Sequence, residues 1–153
     1  MRITSFVKKT AIVPELVATT RDAAIAELVA TLQQTGAFDS AYASDVLGAV
    51  MRREQLGSTG IGRGIAIPHS RHSSVSSLCG AFALSRQPGG LAFDAIDGEP
   101  VDVLVLMISP QDQPRPHLQA LDCVVQTFKD DDVLARLRSC ANADEIWAVL
   151  GGE

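Results

Sequence analysis

The chain has 153 residues, of which 46% are hydrophobic and 20% charged; this is the size and apolar content of one globular domain with a proper core, and it excludes a disordered chain. Its formal net charge is −5 and no block of Lys or Arg is long enough to follow a phosphate backbone or an anionic bilayer, so neither nucleic acid nor membrane is expected as a partner. No apolar run reaches the roughly 18–20 residues of a membrane-spanning helix, and "MRITSFVKKTAIVPEL" lacks the apolar stretch and small-residue cleavage site of a leader, so a cytoplasmic location is expected.

Ile25, Leu28, Val29 and Leu32 recur at helical spacing, Thr19 and Thr20 stand at a capping position with Asp22 in the first turn, and Gly36 follows. This predicts a helix from Arg21 to about Thr35. A second helix fits Ser40 to about Arg53, with Val46, Leu47 and Val50 on one face, Gly57 beyond its end and Arg53 at its C-terminal edge. Short strands are predicted at "GIAIP" (Gly64 to Pro68), "LCGAFALS" (Leu78 to Ser85) and "VDVLVLMIS" (Val101 to Ser109), the last with the continuous hydrophobicity of a strand covered on both faces. Three further helices follow. Leu118, Leu121, Val124, Val125 and Phe128 stripe the first; Asp130 to Asp132 open the second before "VLARLR", acid at the start and base at the end as the helix dipole favours; Asn142 and Glu145 stand at capping-box spacing before "IWAVL". Helices at both ends of a strand-rich middle predict an α/β fold in which a mixed β-sheet is flanked by helices on both faces. No repeat, low-complexity segment or linker interrupts residues 1–153, which read as a single domain.

Cys79, Cys123 and Cys140 form no CxxC pair and lie among apolar neighbours, so buried free thiols are expected rather than redox chemistry.

The unusual stretch is "GSTGIGRGIAIPHSR", Gly57 to Arg71. Glycines bring backbone N–H groups close to an anion, yet neither familiar phosphate loop fits. A Walker loop needs Gly-Lys-Ser/Thr opening a helix, and the dinucleotide fingerprint needs GxGxxG after a strand; here Gly60, Gly62 and Gly64 read GxGxG and a strand follows. The other reading is that the glycines make room for a group docking against His69, while Pro68 fixes the backbone that aims the imidazole. Imidazole is largely neutral near pH 7 and forms labile covalent intermediates, so a phosphoryl group placed on it can be passed on. A turn histidine bonded to a nearby carbonyl is the plain alternative.

A second feature bears on His69. "SPQDQPRPHLQAL" strings prolines at 110, 114 and 116 and starts a helix around His117, with Pro116 suited to the first helical position. Free N–H groups and the positive end of the dipole gather there, where a phosphate on a neighbouring group would be stabilised and His117 could bond to it. Arg53 could add charge-assisted hydrogen bonds to a phosphoryl group. His72 would be a metal partner of His69 only if "HSRH" were helical and a third ligand arrived.

"RREQLGSTGIGRGIAIPHSR" with "FDAIDGEPVDVLVLMISPQDQPRPHLQAL" resembles the enzyme IIA domain of the fructose/mannitol class in the bacterial phosphoenolpyruvate-dependent phosphotransferase system (PTS), its nitrogen-related branch above all. The likeness extends from about Ile12 to Leu150. It implies the family's IIA-type fold of a mixed sheet flanked by helices, and a histidine that accepts a phosphoryl group from the phosphohistidine of an HPr-like carrier. Matched to the motif, that histidine is His69; the second active-site histidine falls on His117 of "HLQAL", and the active-site arginine on Arg53. No cofactor or metal is implied. Ser70 stands where the family usually has a glycine, and Pro116 where it is variable. Two roles follow from the resemblance: a phosphotransferase component, in the regulatory nitrogen branch or as a sugar-specific component relaying phosphate to a separate IIB protein, and a regulatory binding protein switched by phosphorylation.

Overall fold

The computed structural model describes residues 1–152. In chain order its elements are β1 (Val7–Val13), α1 (Arg21–Gln34), α2 (Ala43–Leu56), β2 (Gly60–Gly62), β3 (Ile65–Ala66), β4 (His69–His72), β5 (Cys79–Leu84), β6 (Val103–Pro110), α3 (Pro114–Phe128), α4 (Asp131–Arg138) and α5 (Ala143–Val149). The sheet runs β1-β5-β6-β3-β2, with β4 also on β6. β5 pairs antiparallel with β6, and β1 with β5 and β3 and β4 with β6 are parallel, so the sheet is mixed.

β6 is the central strand, and all of its residues are buried, as a strand covered on both faces requires. α1 and α2 pack on each other and reach β5 and β4; α3 lies on β6, α5 on β1, and α4 joins those two helices. The expected α/β fold with a mixed sheet between two helical layers is the one observed. The core runs between the layers through Ile25, Leu28, Phe82, Leu104, Leu106, Val124 and Phe128.

The ladder beside β6 decides where the chemistry lies. Ile65 stands opposite Val103, Ala66 opposite Leu104, His69 opposite Met107 and His72 opposite Pro110, one unbroken register through Pro68. Proline gives the ladder no N–H, but its carbonyl still accepts from the Met107 amide at 3.0 Å. The strand expected to end at Pro68 therefore continues to His72. His69 is held in a sheet, not in a turn.

Several boundaries differ from the sequence reading. β1 was not anticipated, because Lys8, Lys9 and Thr10 interrupt its apolar alternation; they are exposed, and the register against β5 shifts across them. A 3₁₀ turn at Ser40–Tyr42 precedes α2, which runs on to Leu56 and leaves Arg53 in its last turn. α3 starts at Pro114, not Pro116, because Pro114 takes the first helical position. Leu118, expected in the core stripe of that helix, is 64% exposed. The caps hold at Thr20 and Asn142, and Asp130, expected only as part of an acidic start, caps α4; Glu145 reaches back to the Ala141 amide, one residue short of closing a box on Asn142. The three thiols are free, Cys123 and Cys140 buried and Cys79 partly so, and burial pushes the Cys79 thiol up to about 12.

Candidate functional site

Much of the glycine-rich stretch is a hairpin. β2 and β3 are joined by Arg63 and Gly64, whose φ angles of 58° and 81° suit the turn that matches strand twist. A Cβ on Gly64 would lie 2.6 Å from the Arg138 Nη2 and Asp102 Oδ1, and one on Gly60 2.7 Å from the Ala95 Cβ. These glycines let the hairpin close against its neighbours. The expectation that they clear a surface for a group docking at His69 is therefore corrected at these two positions.

The end of α2 is tied to that hairpin by Glu54. Its carboxylate is buried and accepts from the Thr59 amide at 3.2 Å and the Thr59 hydroxyl at 2.6 Å. Arg53 is the preceding residue on the same turn, and its Nη1 donates to the Gly57 carbonyl at 2.8 Å. Arg53 also lines the cleft described below, and its guanidinium carries donors beyond the one that Gly57 takes.

His69 leaves its strand with Nδ1 2.7 Å from the carbonyl oxygen of Ile67. A carbonyl only accepts, so Nδ1 carries the hydrogen and Nε2 keeps its lone pair. Burial holds the ring below the ordinary histidine range, the nearby Arg53 charge adds to this, and the Ile67 bond opposes it. His69 is thus neutral at pH 7, with its nucleophilic nitrogen turned away from the backbone.

His117 is the fourth residue of α3, and its ring centroid lies 5.2 Å from that of His69. Its Nδ1 is 2.5 Å from the hydroxyl oxygen of Ser109, a wholly buried residue of β6. Burial, then the proximity of His69 and Arg71, brings its pKa to about 4. Because Pro114 and Pro116 supply no N–H, the helix start offers fewer free amides than the sequence reading expected, and side chains carry more of any anion recognition there.

Arg53, His69, Ser70, Arg71, Pro114, His117 and Leu118 line a cleft of about 340 Å³. In a chain of net charge −5, that lining holds two arginines and two histidines and no carboxylate. Its two guanidinium groups, with no carboxylate in the lining to offset them, make the cleft electropositive. A larger cleft of about 540 Å³ lies around Arg63, Arg86, Asp102 and Arg138. Its guanidinium groups are already engaged: Arg138 grips both Asp102 oxygens at 3.0 Å, and Arg86 donates to the carbonyls of Arg138 and Cys140.

The structure brings together the three sequence candidates, His69, His117 and Arg53. His72 is not with them. It lies on a strand rather than a helix, buried on the other face, with Nε2 donating to Asp45 at 2.6 Å and Nδ1 accepting from the Ser74 amide at 3.0 Å. Sequence reasoning missed Arg71, Ser109, Leu118 and Glu54. A period of two along "HSRH" would have placed Arg71 on the face of His69; no local pattern marks Ser109, which reaches the site through its register opposite Arg71.

Comparison with known proteins gives one family description for residues 5–152: phosphoenolpyruvate-dependent sugar phosphotransferase system, EIIA 2. A nitrogen regulatory protein of Bradyrhizobium diazoefficiens is 34% identical over 151 residues, 98% of this chain and 95% of that protein. The crystal structure of the nitrogen regulatory protein IIA-Ntr from Neisseria meningitidis superposes with a TM-score of 0.86 at 30% identity, covering 97% of this chain and 98% of that one. The Escherichia coli mannitol enzyme IIA, solved in complex with its phosphorylated enzyme IIB, shares the fold with a TM-score of 0.76 at 21% identity over 94% of this chain and 96% of that one. Among the described residues no helix is long and apolar enough to cross a membrane.

Proposed function

Because the chain belongs to the EIIA 2 family of the phosphoenolpyruvate-dependent sugar phosphotransferase system, and is a phosphotransferase component of it, we propose that His69 is its phosphoryl acceptor and that an HPr-like carrier, itself phosphorylated on histidine, is the donor. Residues 1–153 act as one domain, in the cytoplasm, where carrier and targets are met.

The observation that carries this reading is the carboxylate-free cleft in which a neutral His69 presents Nε2 beside His117, Arg53 and Arg71. The Nε2 lone pair forms the new N–P bond as the carrier's P–N bond breaks, and that bond's electron pair stays on the carrier's ring, which leaves as neutral imidazole. The Nδ1 hydrogen of His69 stays in place. Its bond to the Ile67 carbonyl offsets the positive charge the ring gains as the N–P bond forms. Arg53 and His117 meet the phosphoryl oxygens, so the contribution is positioning and electrostatics, as phosphoryl transfer generally requires. Neither metal nor nucleotide enters the step.

The likeness to nitrogen regulatory proteins supports the regulatory branch, in which phosphorylation changes the charge of a surface that binds other proteins. A second reading, passage of the phosphoryl group to a separate IIB protein, is supported by the mannitol enzyme IIA that was solved with its phosphorylated IIB. The test is incubation with phosphoenolpyruvate, enzyme I and an HPr-type carrier, followed by intact mass and acid treatment. One added acid-labile phosphoryl group, absent from His69→Ala, is the expected result. Label retained elsewhere in His69→Ala would overturn the assignment.

A further inference from the structure

We propose that Ser109 is a positioning residue that fixes the tautomer of His117, holding the hydrogen on Nε2 so that an uncharged ring becomes a hydrogen-bond donor to the cleft. Ser109 lies on β6, entirely buried, and among the described residues the group hydrogen-bonded to its Oγ is His117 Nδ1, at 2.5 Å. A hydroxyl carries one hydrogen and can donate or accept. If Nδ1 carried the ring hydrogen, the Ser109 hydrogen would have no acceptor in hydrogen-bond contact with its oxygen among the described residues. If the hydroxyl donates to Nδ1, its hydrogen is satisfied and the ring hydrogen falls on Nε2.

The consequence reaches the cleft. Ser109 takes Nδ1, so Nε2 is the ring nitrogen left to bond a group entering the cleft that His117 lines with His69, whose ring centroid is 5.2 Å away. Burial and the neighbouring His69 and Arg71 favour the uncharged ring of His117 in the empty cleft, so its hydrogen bonds there depend on the tautomer. With the other tautomer its Nε2 would present a lone pair to an incoming phosphoryl oxygen and repel it. Ser109 thus supplies to His117 what the Ile67 carbonyl supplies to His69, with the opposite sense: one ring is held as a nucleophile at Nε2, the other as a donor at Nε2.

The kinetic part of this inference rests on the proposed reading of the cleft as a phosphoryl site; the tautomer itself does not. The test uses the full chain labelled with nitrogen-15, and records ring proton–nitrogen correlations at pH 7.5, with His117 identified by its loss in His117→Gln. The wild type is expected to show an unprotonated Nδ1 and a protonated Nε2 on His117. In Ser109→Ala the two nitrogen shifts move toward each other as the tautomers mix, and phosphoryl acceptance from the carrier slows by about tenfold, the scale seen when a group that orients a functional histidine is removed. Ser109→Thr, which keeps the hydroxyl, restores both. A protonated Nδ1 in the wild type, or a Ser109→Ala protein with unchanged shifts and unchanged rate, would overturn the inference. A wild type that accepts no phosphoryl group at all defeats the phosphoryl reading, while the nitrogen shifts still decide the tautomer.

Discussion

Replacing Glu54 by alanine removes the anchor between α2 and the hairpin that leads to His69. Glu54 is 2% exposed and Thr59 3%, so the two donors the carboxylate now satisfies, the Thr59 amide and hydroxyl, would be left in a site water reaches poorly. Each buried donor left unpaired costs about 1–3 kcal/mol, and partial relaxation of the loop brings the sum to about 3 kcal/mol. A chain of this length unfolds with an entropy of about 0.3 kcal/mol per kelvin, so the Tm is expected to fall by about 9 °C. Urea denaturation of wild type, Glu54→Ala, Thr59→Val and the double variant measures the coupling, because Thr59→Val removes the hydroxyl without changing the shape. The cycle should return an interaction energy of about 1–2 kcal/mol, since the hydroxyl has nothing to lose once the carboxylate is gone. Additivity within about 0.5 kcal/mol, or a Glu54→Ala protein as stable as wild type, would refute the reasoning and leave Glu54 a bystander.

Arg53→Ala should slow phosphoryl acceptance by about 100-fold, the usual cost of losing one preorganised donor to a developing anion, with Arg53→Lys recovering part of it as a point charge without the planar fork; quench-flow labelling measures both. The pH dependence follows from the two lowered histidine values. His69 must be neutral to attack, and its pKa lies below the ordinary 6.5, so the rate of acceptance should rise with pH on the acid side and be level by neutral pH. For stability, the folded chain holds His117 unprotonated down to about 4 whereas the unfolded chain takes up a proton at 6.5. The unfolded state therefore binds more protons within that window, and stability that is complete above about pH 6.5 is lost as the pH falls toward 4. His117→Gln should flatten that slope in urea titrations run across the window.

The physical signals that were legible in the sequence are local ones. A 3.6-residue apolar repeat, an oxygen-bearing cap and a glycine just beyond the end placed α1 within a residue of its observed bounds, because all three act within one helix. The uninterrupted apolar run placed β6 and the coverage of both its faces. His69, His117 and Arg53 were named from motif and chemistry, each near a proline, a helix start or a helix end that constrains it. What failed locally failed for tertiary reasons. β1 carries three exposed polar residues yet is a strand, because β5 offers it a ladder that its own pattern does not announce. Leu118 fits the apolar stripe of α3 but is exposed and lines the cleft, because the first turns of that helix border the site where His69 stands instead of the core.

The sequence by itself determined the helices, the central strand and the mixed α/β class, and it marked His69, His117 and Arg53 as candidates for a phosphoryl site, since these depend on side-chain chemistry and on contacts a few residues apart. The tertiary structure alone decided which nitrogen each histidine presents. Ile67 accepts from His69 because an unbroken register carries the strand through Pro68, and Ser109 meets His117 because β6 and α3 pack at that point. A tautomer is set by the partner on the far side of the ring. For His117 that partner arrives from a different element of the fold, and no local pattern in the sequence records it.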